Sequence, residues 1–202
     1  SRSCCSRMTA FCCSPKSRFI TPRAAVYSSV PKPTLVPRLR LPGAQEELVE
    51  AVQGTGTPVV VVLVNGRPAA IPWIDEHVPA IVEAWLPSEE GADAAVDVLL
   101  GDYNPGGKLA ITVPRGVGQV PIYYGHKASG GRSQWKSAYV EMSNKPLYPF
   151  GHGLSYTTFL VDNLRVTHGS VRPGEHITLT VDVTNTGPCA GDEVVQVYVR
   201  LP

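Results

Sequence analysis

The stretch KPLYPFGHGLSYTTF, residues 145–159, divides the chain into two parts of different pattern. Helical and strand patterns alternate before it, and only short strand patterns follow it. Pro146 and Pro149 fix φ and lack a backbone N–H, so the stretch is neither helix interior nor central strand. Its four aromatic residues are typical of a loop packed between two bodies. We therefore predict that residues 146–159 are an interdomain hinge.

The part before the hinge has the pattern of a layered α/β domain. Residues 59–64, VVVVLV, form an unbroken apolar run, typical of a parallel strand buried on both faces. The loop at 65–68 then lies at the carboxyl end of that strand, where open α/β sheets bind ligands. The other predicted elements are helices at 44–53 and 89–100, the second with Ser88 as its N-cap, and strands at 80–86 and 109–113. This alternation predicts an α/β sandwich with a largely parallel sheet.

Beyond the hinge, the pattern changes to strands alone. Residues 160–166, 177–183 and 194–199 alternate apolar and polar side chains, and turn sequences separate them. A β-sandwich of the immunoglobulin type needs about seven strands and on the order of 100 residues. We therefore predict that residues 160–202 form a truncated β-sandwich.

Residues 1–38 differ from the rest in composition. Four of the five cysteines lie in the first 13 residues, and no Asp or Glu occurs before Glu46. The cysteines lack the CxxC spacing of a zinc site. Three interpretations stay open: a targeting peptide, a disordered arm, or a misread or alternatively spliced segment. We expect a disordered or non-native arm.

Five segments in order carry a resemblance to a known family. They are LRLPGAQEELVEAV, TPVVVVLVNGRP, AIVEAWLPSEEGADAAVDVLLGDYNPGGKLAITVPR, PLYPFGHGLSYTTF and VTNTGPCAGDEVVQVYV. Residues 39–202 thereby resemble the C-terminal part of glycoside hydrolase family 3, the β-glucosidase and β-xylosidase type. The resemblance implies that residues 39–145 are a partial C-terminal α/β domain and that residues 160–202 begin a fibronectin type III-like domain. It also implies a parent enzyme that hydrolyses terminal β-linked sugars with retention and without a cofactor.

The resemblance assigns no catalytic residue to this chain. Retaining glycosidases need two carboxyl groups about 5–5.5 Å apart. In the family, the nucleophile is an aspartate on an N-terminal (β/α)8 barrel, which this chain lacks, and the acid/base glutamate precedes the LRLPG stretch, where this chain has no acid. Glu89 and Glu90 are interpreted as charges at a helix start. We expect a fragment that is inactive alone.

Two residues are candidates for contact with a sugar. Trp135, in a polar glycine-rich loop, is a candidate stacking platform, and the resemblance implies that the 119–137 loop borders the barrel's active site. His152 either polarises a sugar hydroxyl or is a packed, hydrogen-bonded loop residue. Trp73 and Trp85 are predicted to be core residues, and Asp102 a turn residue that bonds backbone amides.

Other partners are not expected. The five histidines are scattered, which disfavours a metal site, and the net charge of +1 disfavours nucleic acid. No apolar run approaches the length of a membrane span. The expected partners are β-linked glucosides and the missing barrel domain. The alternative function is a non-catalytic carbohydrate-binding or scaffold module.

Overall fold

The computed structural model describes residues 25–28, by their backbone alone, and residues 39–125, 143–169, 171–172 and 174–199. These residues form a parallel sheet with helices, followed by an antiparallel strand pair. The elements are β1 Ala25–Ser28, α1 Gln45–Gln53, β2 Val60–Val64, α2 Pro72–His77, β3 Ala80–Trp85, α3 Gly91–Leu100, β4 Phe159–Val166 and β5 Leu179–Asn185. A single 3-10 turn, Val117–Gln119, lies between α3 and β4 among the described residues.

The parallel sheet has the order β1-β2-β3, with β2 in the centre. All five residues of β2 are buried, as its β-branched sequence predicts. Val49 of α1 and Ile74 of α2 are completely buried in the same core. Two further residues complete this core: Val113, which precedes the hinge, and Leu147, which lies within it. The α/β prediction is confirmed.

β1 corrects the description of residues 1–38. The sequence of residues 1–38 has no apolar periodicity, yet Ala25–Ser28 pairs in parallel with β2, from Ala25 opposite Val60 to Ser28 opposite Leu63. Four residues are too few for a periodicity to be visible, and the pairing partner lies more than 30 residues away. Residues 25–28 are therefore part of the sheet and not of a disordered arm.

Helix α3 starts later than predicted. Its N-cap is Glu90, which makes no side-chain capping bond, so Ser88 is not the cap. The Ser88 carbonyl instead accepts the N–H of Gly91 at 2.9 Å, which forms a turn before the helix. Gly101, with φ of +84°, ends the helix in the left-handed conformation that glycine favours. None of the residues of α3 is buried.

The predicted strand at 109–113 is wrong as an element of the main sheet. It contacts the hinge instead: the N–H of Leu109 donates to His152 O at 2.8 Å, and Val113 forms an isolated antiparallel bridge with Tyr148. The predicted strand at 194–199 is also wrong, because the described residues give it no strand partner. Both segments have strand-like sequences, but pairing depends on what lies beside them.

β4 and β5 pair antiparallel, from Phe159 opposite Asn185 to Val166 opposite Leu179. An irregularity between Asp162 and Arg165 interrupts the ladder, and Asn163 has a φ of +55° there. Almost every residue of both strands is exposed. The described residues thus leave both faces of this pair uncovered, and a fibronectin type III-like sandwich stays a prediction.

Candidate functional site

The hinge closes over one side of the α/β domain through specific polar contacts. The Tyr148 hydroxyl donates to Asp75 Oδ1 of α2 at 2.7 Å. Lys108 Nζ donates to Gly153 O at 3.2 Å and forms an ion pair of 3.1 Å with Glu193. Both charged side chains of that pair are largely buried. The hinge is therefore fixed to the domain before it and to the segment after it.

Asn104 performs the turn function that sequence analysis assigns to Asp102. Its Oδ1 accepts from Ser155 Oγ at 3.0 Å and from the Tyr156 N–H at 2.8 Å, and its Nδ2 donates to Ala190 O at 3.4 Å. Asp102 contributes its backbone N–H, which donates to Asp97 O at 2.8 Å. The turn after α3 is thereby bonded both to the hinge, at Ser155 and Tyr156, and to the segment beyond it, at Ala190.

A cavity of about 740 Å³ lies between β3 on one side and the 105–113 segment and hinge on the other. Among the described strands, β3 lies at one edge of the sheet, and its residues form part of the cavity wall. The walls are mostly aliphatic and include Ile71, Val78, Ile81, Leu109, Val113 and Leu147. A large apolar cavity with a few polar groups is the usual form of a ligand site.

Most polar side chains at the cavity wall already have partners within the protein. Tyr148 bonds to Asp75, and Lys108 to Gly153 and Glu193. The Tyr156 hydroxyl donates to the carbonyl of Val98 at 2.7 Å, and the burial of this hydroxyl raises its pKa. These groups therefore stabilise the walls.

His152 is the exception among these polar side chains. It lines the cavity, is half-buried, and stacks on Tyr148 with ring centroids 5.1 Å apart. Burial lowers its pKa below the ordinary 6.5; the charge of Asp75 opposes this shift and that of Lys108 adds to it. The imidazole is thus mainly neutral at pH 7, with one nitrogen free of a proton. No described residue forms a hydrogen bond with the ring.

Glu83 holds an unusual turn at the carboxyl end of β3. Its carboxylate accepts from the Trp85 N–H at 3.1 Å and from Asn65 Nδ2 at 3.2 Å, and Trp85 has a φ of +53°. A non-glycine residue in this conformation is strained. Burial raises the pKa of Glu83, although both hydrogen bonds oppose the shift. Among the described residues, the Oδ1 of buried Asn65 has no hydrogen-bond partner.

Residues 36–156 match the family model described as the Glycosyl hydrolase family 3 C-terminal domain. This match covers more than half of the 202 residues. The chain belongs to glycosyl hydrolase family 3. The family resemblance drawn from the sequence is therefore confirmed.

Relatives in family 3 are much longer than this chain. The periplasmic beta-glucosidase of Salmonella typhimurium is 44% identical over 168 residues, which are 80% of this chain and 22% of that protein. A beta-xylosidase of Formosa agariphila is 47% identical over 165 residues, again 80% of this chain and 22% of that protein. The crystal structure of a beta-glucosidase from Listeria innocua in complex with glucose has 36% identity and a TM-score of 0.69 over 76% of this chain and 22% of that one.

The candidate sugar-contacting residues of this family 3 chain have different outcomes. His152 lines the cavity, where it packs on Tyr148. Trp135 lies outside the described residues, as does most of the 119–137 loop. Trp73 stacks on His77 at 4.3 Å and packs against the core, whereas Trp85 is half-buried at the cavity wall. Glu89 and Glu90 are exposed just before α3.

Three contributors to this site were missed by sequence analysis. Asn65 lies in the loop predicted at a ligand-binding edge, so its position after VVVVLV is a usable signal. Asn104 had no such signal, because its partners lie 51 to 86 residues away. Glu83 had none either, because its bond to the Trp85 N–H depends on the unusual backbone of Trp85. Among the described residues, no cluster of three or more His, Cys, Asp or Glu side chains is arranged to hold a metal ion. None of their helices has the length and apolarity to cross a membrane.

Proposed function

We propose that this chain serves as the C-terminal α/β part of a β-glycosidase, which hydrolyses terminal β-linked glucosyl or related residues with retention. The observation that carries this proposal is the match of residues 36–156 to the family 3 C-terminal domain. The named relatives, a beta-glucosidase and a beta-xylosidase, support the class of reaction. The chain spans 22% of their lengths, so it contributes one part of such an enzyme.

The described carboxyl groups at the cavity support a scaffolding role. Asp75 accepts the Tyr148 hydroxyl, and Glu83 accepts the Trp85 N–H and the Asn65 amide. Both are therefore engaged in holding the fold, and neither forms the nucleophile and acid/base pair of a retaining glycosidase. In this proposal, the nucleophile comes from an N-terminal (β/α)8 barrel that acts with this chain. The acid/base also comes from outside the segment 1–45, because no Asp or Glu precedes Glu46.

A chimera tests the proposal. The Salmonella relative keeps its own barrel and acid/base loop, and residues 39–202 of this chain replace its matching segment. We expect the chimera to hydrolyse p-nitrophenyl β-glucoside, while the 202-residue chain alone does not. A folded, soluble chimera without hydrolysis contradicts the proposal. A variant with the barrel's nucleophilic aspartate changed to asparagine is the matched control and should be inactive.

A carbohydrate-binding module is the second candidate, and an exposed aromatic cluster favours it. The ring of Tyr124 lies 5.5 Å from Phe150 and 4.9 Å from Tyr198, and all three rings are exposed. Exposed tyrosines combine an apolar face with a hydrogen-bonding tip, as sugar recognition requires. This candidate predicts that the isolated chain binds glucose and that Tyr124→Ala weakens binding. Tyr103→Ala, at another exposed tyrosine, is the control.

A further inference from the structure

We infer that the cavity between β3 and the hinge binds an apolar small molecule that carries one hydroxyl group, with the hydroxyl anchored on His152. The inference rests on the cavity itself and does not depend on the glycosidase activity proposed above. It names a class of ligand different from a sugar.

The size and walls of the cavity favour an apolar body. Its volume of about 740 Å³ falls within the roughly 300–1,000 Å³ range of small-molecule sites. Its lining includes the aliphatic residues Ile81, Leu109 and Leu154, next to the buried core residues Ile71 and Val78. Burial of apolar surface against such walls contributes roughly 25 cal/mol per Å².

The hydrogen bonding of the walls disfavours a sugar. The Tyr148 hydroxyl is committed to Asp75, the Tyr156 hydroxyl to the Val98 carbonyl, and Lys108 to Gly153 and Glu193. A sugar ring has a hydroxyl on most of its carbons, and few of these would find partners. Each buried hydroxyl without a hydrogen bond costs about 1–3 kcal/mol. A ligand with several hydroxyls would therefore leave more of them without a hydrogen bond than a ligand with one hydroxyl.

His152 supplies one polar anchor. Its ring lines the cavity and is held parallel to Tyr148, at an interplanar angle of 15°. No described residue hydrogen-bonds to the ring, so its unprotonated nitrogen can accept from one hydroxyl. The carboxylates of Asp75 and Glu83 also line the cavity, and both already accept hydrogen bonds within the protein. The His152 nitrogen is therefore the acceptor that matches one donor on an otherwise apolar ligand.

Titration calorimetry on the purified 202-residue chain tests the inference with three probes. 2-Naphthol has an apolar body and one hydroxyl, naphthalene has the same body without it, and glucose is polar throughout. We expect 2-naphthol to bind about tenfold more tightly than naphthalene, which corresponds to one net hydrogen bond. Glucose should not compete with 2-naphthol. Equal affinity for 2-naphthol and naphthalene, or competition by glucose, overturns the inference.

Three variants place the binding in the cavity. Val82→Phe fills it, whereas Val96→Phe adds the same bulk on the exposed surface of α3. Val82→Phe should lower the affinity for 2-naphthol and for naphthalene at least tenfold. Val96→Phe should leave both affinities unchanged. His152→Phe should lower the affinity for 2-naphthol to that for naphthalene. The affinity for naphthalene should not change.

Circular dichroism establishes that each variant is folded. If Val82→Phe does not fold, Ala80→Leu adds a smaller side chain at the same wall. Binding that persists unchanged in the folded cavity-filling variant would place the probes on an exposed apolar surface and overturn the inference.

Discussion

At the scale of single residues, the Tyr148 hydroxyl joins the hinge to α2. Its bond to Asp75 is 2.7 Å long and spans 73 residues of sequence. Tyr148→Phe keeps the ring and removes this bond, so we expect the free energy of unfolding in urea to fall by about 1–2 kcal/mol. Tyr103→Phe, at an exposed tyrosine, is the matched control and should change it by less than about 0.5 kcal/mol. Equal effects of the two substitutions would contradict the assigned role.

The raised pKa of Glu83 predicts that the stability of the fold depends on pH. Burial raises its pKa above the ordinary 4.5, so its contribution to stability is full below pH 4.5 and is lost as the pH rises through the folded-state pKa. Glu83→Gln stays neutral at every pH. We therefore expect its stability relative to the unmodified chain to be more favourable at pH 7 than at pH 4, measured by urea unfolding. Val59→Ala is the control, because it changes a core residue and involves no ionisable group. It should lower the free energy of unfolding by the same amount at both pH values.

Single-residue contacts show where sequence reasoning succeeds at the site. His152 lies between Gly151 and Gly153 in the aromatic hinge, and such a pattern of neighbouring residues is visible in the sequence. The turn function was assigned to Asp102, but Asn104 in the same turn is an equally good turn residue, and only its three-dimensional contacts to Ser155 and Ala190 identify it. Partners 50 or more residues apart leave no pattern in one sequence.

At the scale of elements, α2 and α3 differ in how they are held. Ile74 of α2 has no exposed surface, whereas Val96 of α3 is 48% exposed. We expect Ile74→Ala to lower the free energy of unfolding by about 2–5 kcal/mol, because it leaves a cavity in the core. Val96→Ala should lower it by less than about 1 kcal/mol. A large loss from Val96→Ala would show that α3 is packed more tightly than its exposure indicates.

The elements recovered from sequence are those with strong local patterns. β2 was predicted within one residue because VVVVLV is buried on both faces and has no competing pattern. β1 was missed because Ala25–Ser28 is defined by its partner and not by its own periodicity. Residues 109–113 look like a strand and do form backbone hydrogen bonds, but with the hinge. Sequence thus gives the tendency to extend, while the fold decides the neighbour.

At the scale of the whole molecule, Asn104 connects the α/β domain to the chain beyond the hinge. Asn104→Ala removes its bonds to Ser155, Tyr156 and Ala190, so the Tyr156 amide loses its acceptor. We expect hydrogen exchange at that amide to become about tenfold faster. Asn104→Asp is the matched comparison, because it keeps an acceptor for Tyr156 and loses only the donor to Ala190. Fast exchange in both variants would mean that the Ala190 contact, and not the Tyr156 contact, holds this region.

The exposed strand pair β4–β5 is the feature that we expect to govern association between chains. Its apolar side chains lie on open faces, with Leu164 65% exposed, and uncovered strand edges promote association. We expect the purified chain to self-associate as its concentration rises, measured by sedimentation velocity. Leu164→Lys should reduce association, because it replaces an exposed apolar side chain of β4 with a charge. Val117→Lys adds the same charge at an equally exposed valine outside the strand pair and should leave association unchanged. If Val117→Lys reduces association as strongly, net charge and not the strand pair governs it.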